Sequence, residues 1–331
     1  MSRQAYIHFM AVRDVVPHKL YLGSNLWGTL QKGRLFLFFK RNNEYITNPK
    51  SERSLTIMAY KVNLHITQKC NYACKYCFAH FDNNNDLSLD QWKHIIDNLK
   101  ASGLVDAINF AGGEPVLHKD FPAIVSYAYD QGFRLSIITN GSLMLNPNLM
   151  PPKLFERFNT LGISVDSINP QTLIALGACN KSQEVLTFDK LTQLIALAPS
   201  VNPTIRIKLN TVITKLNEKE DLTIIGKQLN IARWKFLRMK LFIHNNFNNA
   251  PLLINQGEFD SFVARHTKVS RDVVPENDLT RSYIMVDNQG QLLDDETENY
   301  NVVGSLITED FTKIFARYSF NESTYASRYA S

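Results

Sequence analysis

Cysteine is scarce in this chain: four in 331 residues, three of them inside one run of eight. That usage excludes a disulfide-stapled secreted scaffold and suits a reducing compartment. No apolar run approaches the roughly 20 residues needed to span a bilayer, and no apolar stretch with a small-residue cleavage site marks a signal peptide. A cytoplasmic protein is therefore expected. Internal repeats are missing, and Asn83-Asn84-Asn85 is the one low-complexity stretch. Bulk charge is also missing over most of the chain. Residues 1–57 hold nine Lys or Arg against three Asp or Glu, which accounts for the whole formal net charge of +5. The near-neutral remainder removes any general case for nucleic-acid binding.

The basic leader holds short apolar runs such as Leu35-Phe36-Leu37-Phe38-Phe39, followed by a polar stretch through Asn48-Pro49-Lys50. It reads as a small β-rich extension, as a basic amphipathic membrane-surface segment, or as residues ahead of a true start at Met58. The last reading is preferred. With 44% hydrophobic residues the chain can bury a barrel-sized core.

What is present is concentrated in Cys70-Asn71-Tyr72-Ala73-Cys74-Lys75-Tyr76-Cys77, a C-x3-C-x2-C pattern with an aromatic before its last cysteine. Three thiolates this close can hold three irons of a [4Fe–4S] cluster from one loop. The fourth iron is then open to chelate the amino and carboxylate groups of S-adenosylmethionine and to pass it one electron, the radical S-adenosylmethionine chemistry. Spacing alone leaves a Cys3His zinc site open, with His80 as fourth ligand, although no second C-x2-C knuckle exists.

Two further segments favour the cluster. Ile108-Asn109-Phe110-Ala111-Gly112-Gly113-Glu114-Pro115 reads as a buried strand ending in a glycine turn. Gly112 and Gly113 allow close backbone approach to a ligand, and Glu114 can accept a hydrogen bond from the methionine ammonium. Leu135-Ser136-Ile137-Ile138-Thr139-Asn140-Gly141-Ser142 is another apolar strand that stops at a polar turn. Strand ends on one rim are where barrel active sites gather, though each could be a plain β-α turn.

From Ala59 onward the pattern is regular. Strands are expected at Tyr60–Thr67, Ala107–Phe110, Leu135–Ile138, Thr160–Val165, Thr204–Val212 and Ala232–Phe242. Helices are expected at Leu89–Ala101, with Ser88 as N-cap, and at Ala123–Gln131, Pro151–Phe158, Phe188–Ala198 and Asp221–Leu229. Six β-α alternations without a seventh and eighth give an α/β fold, a partial (β/α)6 TIM-like barrel with a C-terminal accessory extension. The expected boundaries are 1–57 for the leader, 58–242 for the barrel and 243–331 for the extension. A hairpin is expected over Ser282–Leu293, turning at Asn288-Gln289-Gly290.

The cations of the later strands have their own pattern. Lys208 and Asn210 share one strand face, as do Arg233 and Lys235. Two cations flanking Trp234 in an otherwise apolar strand suit a buried anion site rather than a solvated surface.

The sequence resembles the viperin family, in particular its bacterial and archaeal members, from about Lys61 to the end. The segments that carry the resemblance are Val62 to Phe78, Ile108-Asn109-Phe110, Ser164-Val165-Asp166-Ser167, Lys208 to Ile213, Arg233-Trp234-Lys235, Val274-Pro275-Glu276 and Ser282-Tyr283. The resemblance implies a radical enzyme acting on a ribonucleoside triphosphate. Hydrogen is taken from ribose C4′, the 3′-hydroxyl leaves as water, and a 3′-deoxy-3′,4′-didehydro nucleotide results, a chain terminator in antiviral defence.

It further implies cluster ligation by Cys70, Cys74 and Cys77, and contacts to S-adenosylmethionine from Gly112, Gly113, Glu114, Asn140 and Ser164. Asn63 and Asn210 are implied as ribose or base contacts, and Lys208, Arg233 and Lys235 as triphosphate contacts. Tyr283 closes the nucleotide pocket and stands as the catalytic candidate, or is ordinary core. His65 is read as a packed histidine. CTP, UTP and GTP all stay open. An electron donor such as flavodoxin or ferredoxin, the iron–sulfur assembly machinery and a monomeric state are implied as well.

The chain departs from the family pattern at Ala107, where members usually carry a triphosphate-binding lysine, and at Ala178, where an arginine meets the S-adenosylmethionine carboxylate. Each lost charge-assisted hydrogen bond is worth about 1.5–3 kcal/mol, or one to two decades of affinity. Lys181 is a partial substitute for the arginine, and Cys179 is read as an inert thiol. The tryptophan-rich finish of animal members is missing too. Two other readings stand beside this one: a different radical enzyme, for example a peptide-modifying one, and a divergent nucleotide-binding protein without turnover. The first usually adds C-terminal cysteines, which this tail lacks.

Overall fold

The computed structural model describes residues 59–79, 85–244, 247–267, 273–276, 280–296 and 300–329, together with four strands of the leader. The chain divides into two compact units, Met1–Met58 and Ala59–Ser331. In the first, β1 (Lys19–Gly23), β2 (Leu26–Gln31), β3 (Arg34–Arg41) and β4 (Glu44–Ile46) form an antiparallel sheet in sequential order. The Leu35–Phe39 run lies on β3.

The second unit is built on one ten-stranded sheet. In chain order its first elements are β5 (Tyr60–His65), α1 (Leu89–Ala101), β6 (Val105–Ala111), α2 (Phe121–Asp130), β7 (Arg134–Thr139), β8 (Thr160–Ser164) and α3 (Pro170–Leu176). Then come α4 (Phe188–Val201), β9 (Arg206–Ile213), α5 (Thr223–Gln228) and β10 (Arg233–Arg238). Strands β5 to β10 lie side by side, all parallel, in sequence order. This is the expected six-stranded partial barrel.

A small hairpin follows, β11 (Ile243–His244) with β12 (Phe247–Asn248), then α6 (Gln256–His266). The rest of the tail is no appendage. Strand β13 (Val273–Glu276) adds in parallel to β10 on one edge, and β14 (Ile284–Val286) adds in parallel to β5 on the other. Strands β15 (Gln291–Asp294) and β16 (Asn301–Ser305) continue antiparallel beyond β14, before α7 (Phe311–Phe315) and α8 (Glu322–Tyr329). The β14–β15 hairpin turns through Asp287–Gly290, with Gly290 in the left-handed region at φ 74°.

Local chemistry explains the elements. Helix α1 opens on Ser88, whose hydroxyl accepts from Gln91 N while Gln91 answers the Ser88 backbone, and it buries Trp92, Ile95, Ile96 and Leu99. The expected helix at 151–158 is a 3-10 segment, Pro152–Arg157. Its sequence carries too few apolar positions at helical spacing to hold a longer element. Helix α3, which sequence periodicity did not reveal, spans seven residues, too few for its pattern to stand out.

Strand parity separates two environments. Val62, Leu64, Ile108, Phe110, Ile137, Ile163, Leu209, Trp234 and Phe236 are fully buried in the main core. Each such side chain stabilises the fold by about 1.5–3 kcal/mol. The alternate positions face inward, and on β9 they are only partly buried: Lys208, Asn210 and Val212 alternate with buried Ile207, Leu209, Thr211 and Ile213. An interior packed solid with side chains would bury both parities. This one encloses a cavity. No helix among the described residues is long and apolar enough to cross a membrane.

Candidate active site

The cysteine loop leaves the C-terminal end of β5 and is fastened on both sides. Ala73 N donates to Gly177 O at 3.0 Å and Lys75 N to Leu176 O at 2.9 Å, so the end of α3 serves as its seat. Gly177 has φ 74°, and a Cβ there would stand 2.2 Å from Ala73 O. On the other side Gly113 N donates to Thr67 O at 2.7 Å and Glu114 N to Lys69 O at 2.8 Å. A Cβ on Gly113 would meet Lys69 O at 2.3 Å, so the Gly-Gly-Glu turn and the cysteine loop are backbone against backbone.

All three cysteines are free thiols. Burial pushes the Cys70 thiol up to about 11 and raises Cys74 and Cys77 as well; Cys77 adds to the shift of both others. Three thiols near one another on one loop suit a cubane with one open iron. Among the described residues no three Cys, His, Asp or Glu side chains close around a single ion; a cubane takes its thiolates on three separate irons. His80 lies outside the described residues.

The residues expected to meet S-adenosylmethionine are gathered on this rim. Glu114 is fully buried, its carboxylate accepting from Thr139 Oγ1 and from Asn140 N, each at 2.8 Å. Burial outweighs these bonds and pushes it up to about 7. Asn140 Nδ2 donates to Asn71 Oδ1 at 3.0 Å and reaches Cys70 Sγ at 3.9 Å. Ser164 closes β8 opposite Asn210, partly exposed. Ala178 is buried in a satellite cluster with Tyr72, Leu173, Leu176 and Val185, and Lys181 is exposed.

Tyr76, inside the cysteine motif, hydrogen-bonds Asp166 at the end of β8. Asp166 also accepts from Val212 N at 2.7 Å, and burial pushes its carboxyl up to about 6. Cluster loop and barrel are thereby locked together.

From Tyr76 a cavity of about 200 Å³ runs down the inside of the sheet. Its wall holds five cations, Lys61, Lys208, Lys235, Arg238 and Lys240, against one carboxylate, Asp295. Asn63, Asn210, Tyr283, Lys208 and Lys235 line it. Arg233 lies outside the wall, paired with Lys208 on the β9–β10 ladder, half-buried. Lys235 is 2% exposed; its Nζ stands 3.5 Å from the Tyr283 hydroxyl and 6.0 Å from that ring's centre.

Asn63 is held on both sides. Its Nδ2 donates to Ile284 O at 3.1 Å and its Oδ1 accepts from Asn109 Nδ2 at 2.9 Å. His65 also faces the cavity, and burial drops its imidazole to about 4, so it is neutral. Asn109, Lys61 and Tyr76 are lining residues that sequence reasoning missed. A signal was available for Lys61, which shares a strand parity with Asn63 and His65 on β5, whereas Asn109 is placed opposite Asn63 only by the β5–β6 register.

Three comparisons bear on this site. The Radical SAM superfamily model matches residues 64–220. A curated "S-adenosylmethionine-dependent nucleotide dehydratase" of Selenomonas ruminantium is 81% identical over 273 residues, covering 82% of this chain and all of the relative. One of Psychrobacter lutiphocae with the same description is 31% identical, covering 81% and 94%. A trout relative (Oncorhynchus mykiss), described as "S-adenosylmethionine-dependent nucleotide dehydratase RSAD2", is 31% identical over 75% and 72%.

Among solved structures, Streptococcus suis SuiB bound to S-adenosylmethionine superposes with a TM-score of 0.60 at 13% identity, covering 82% of this chain and 68% of that one. This likeness speaks to the fold alone. The chain belongs to the S-adenosylmethionine-dependent nucleotide dehydratases, the viperin-like branch of the radical S-adenosylmethionine superfamily.

Proposed function

We propose that the chain dehydrates a ribonucleoside triphosphate to its 3′-deoxy-3′,4′-didehydro analogue, a chain terminator in antiphage defence. The observation that carries this reading is the cavity itself. Its lining joins Tyr76 of the cluster loop and the asparagines Asn63, Asn109 and Asn210 to Lys61, Lys208 and Lys235 in the first halves of β5, β9 and β10, which suits a reacting sugar next to the radical source with its phosphates held away from it.

Cys70, Cys74 and Cys77 hold the [4Fe–4S] cluster. Glu114, Asn140 and Ser164 hold S-adenosylmethionine, and Gly112 and Gly113 let the backbone come close to it. When bound, these groups supply the hydrogen-atom abstraction at C4′ that starts loss of the 3′-hydroxyl as water, with one electron and one proton completing the product. Asn63 and Asn210 fix the ribose, and the anchored amide of Asn63 limits its rotation. Lys208 and Lys235 bind the phosphates in the wall, and Arg233 adds its field from the rim. Tyr283, against Lys235, closes the sugar site and excludes water. The reductant is a small donor such as flavodoxin or ferredoxin, and the cluster is installed by the assembly machinery of a reducing cytoplasm.

The test uses anaerobically reconstituted protein with S-adenosylmethionine and dithionite, each ribonucleoside triphosphate being added separately. One of CTP, UTP or GTP is expected to stimulate 5′-deoxyadenosine and give a product lighter by one water. Slow 5′-deoxyadenosine formation whatever is added would refute the substrate.

A further inference from the structure

We infer that Lys61 is a further phosphate-binding residue of this cavity and that it holds the phosphate farthest from the ribose. The inference rests on the functional reading above and specifies one end of its site.

Lys61 lines the cavity on the same inward face as Asn63. It stands two residues farther from the cluster loop, about 6.6 Å along the strand. A sugar fixed at Asn63 with its reacting carbon toward the cluster sends its phosphate chain in the direction of Lys61. Opposite Lys61 on the ladder is Ala107, whose short side chain leaves room for a long one to swing inward. Next in register comes Arg134, engaged with Asp106 at 2.7 Å.

The electrostatics agree with this geometry. Lys61 is brought down to about 8, first by burial and then by the like charges of Arg134, Lys235 and Arg233, with Asp106 opposing. Its charge and that of Lys235 therefore repel across the cavity. A polyanion between them turns that repulsion into attraction. Position is independently fixed, because Lys61 N donates to the Tyr325 hydroxyl at 2.7 Å. Replacement of the side chain leaves that backbone anchor in place.

The experiment compares the reconstituted holoenzyme with Lys61→Met, Lys61→Arg and the double variant Lys61→Met/Ala107→Lys. Steady-state kinetics are run with the preferred nucleoside triphosphate and the matching diphosphate. Lys61→Met is expected to raise KM for the triphosphate by about 10- to 100-fold. Its kcat and its KM for the diphosphate stay within about twofold of wild type. Lys61→Arg keeps most of the affinity, and the double variant regains a large part by presenting the ammonium from the neighbouring strand.

An unchanged triphosphate KM in folded Lys61→Met overturns the assignment, as does an equal loss for both nucleotides. Failure of the double variant to fold leaves the single variants decisive. Wild-type enzyme inert toward every triphosphate instead overturns the functional reading, a result separable from the first two.

Discussion

The two ends of the barrel interior are built by different means. At the cluster end, contact is made by backbone: Gly113 against Lys69, Gly177 against Ala73, and buried carboxyl groups held by main-chain N–H. At the phosphate end the wall is made by long cationic side chains from β5, β9 and β10. A backbone contact tolerates almost no substitution at its glycine. A side-chain contact can be moved to a neighbouring strand and still place its charge at the same point. The first kind of site is specified by motif, the second by register.

The largest effect should come from the cluster end. Cys74→Ser is expected to abolish both the cluster absorbance and 5′-deoxyadenosine formation, since no other thiol sits on that loop to replace it. Retention of either would break the contrast, because the motif would then be as forgiving as the cation set.

The next effect separates the two ends by pH. Folded apo protein holds the Glu114 proton up to about pH 7, whereas the unfolded chain releases it near its ordinary value of 4.5. Stability from this group is therefore fully present below about pH 4.5 and is lost as pH rises through 7, by about 3 kcal/mol in all. Glu114→Gln removes that slope. Asp166, raised to about 6, acts in the same direction, and His65, lowered to about 4, acts in the opposite one. Thermal melts of apo wild type and Glu114→Gln across pH 5–8 isolate the contribution of the Glu114 proton by difference. Parallel melting curves would show that Glu114 is not the buried acid described.

At the other end, Lys235→Met should raise the triphosphate KM by one to two decades, an effect of about 1.5–3 kcal/mol, while leaving the Glu114-dependent slope of the apo melting profile in place. The charge lost there is that of a nearly buried ammonium, 2% exposed. A change in cluster content in this variant would show that the two ends are not independent.

The same contrast explains what the sequence disclosed. The cysteine run, the Gly-Gly-Glu turn and the six parallel strands were legible because each is a local pattern, and Leu89–Ala101 matched its helix at both ends. The inward faces of β9 and β10 were legible by alternation. Ala107 was recognised as a missing charge, yet Lys61 was not seen beside it. Only the β5–β6 register brings those two together across 46 residues of chain. The tail was legible in part: the Ser282–Leu293 hairpin is β14 with β15. Strand β13, four residues long, is too short for periodicity, and the places of β13 and β14 on opposite edges of the sheet depend on pairing partners far away.

The smallest predicted effect lies between the ends, at the asparagine tier. Asn63 accepts from Asn109 and donates to Ile284 O on β14, so it ties the tail's strand to the barrel. Asn63→Ala removes the acceptor for Asn109 and the donor for Ile284, both buried, at about 1–3 kcal/mol of stability. Asn109→Ala removes one donor and should cost about 1 kcal/mol. If the tier were only a structural clip, the two substitutions would shift the melting temperature and leave KM alone. If it also fixes the ribose, Asn63→Ala raises KM more than its loss of stability explains. The double variant then shows a coupling in KM as well as in stability. Coupling in stability alone would assign the ribose to Asn210, and the tier would belong with the backbone-built end of the barrel.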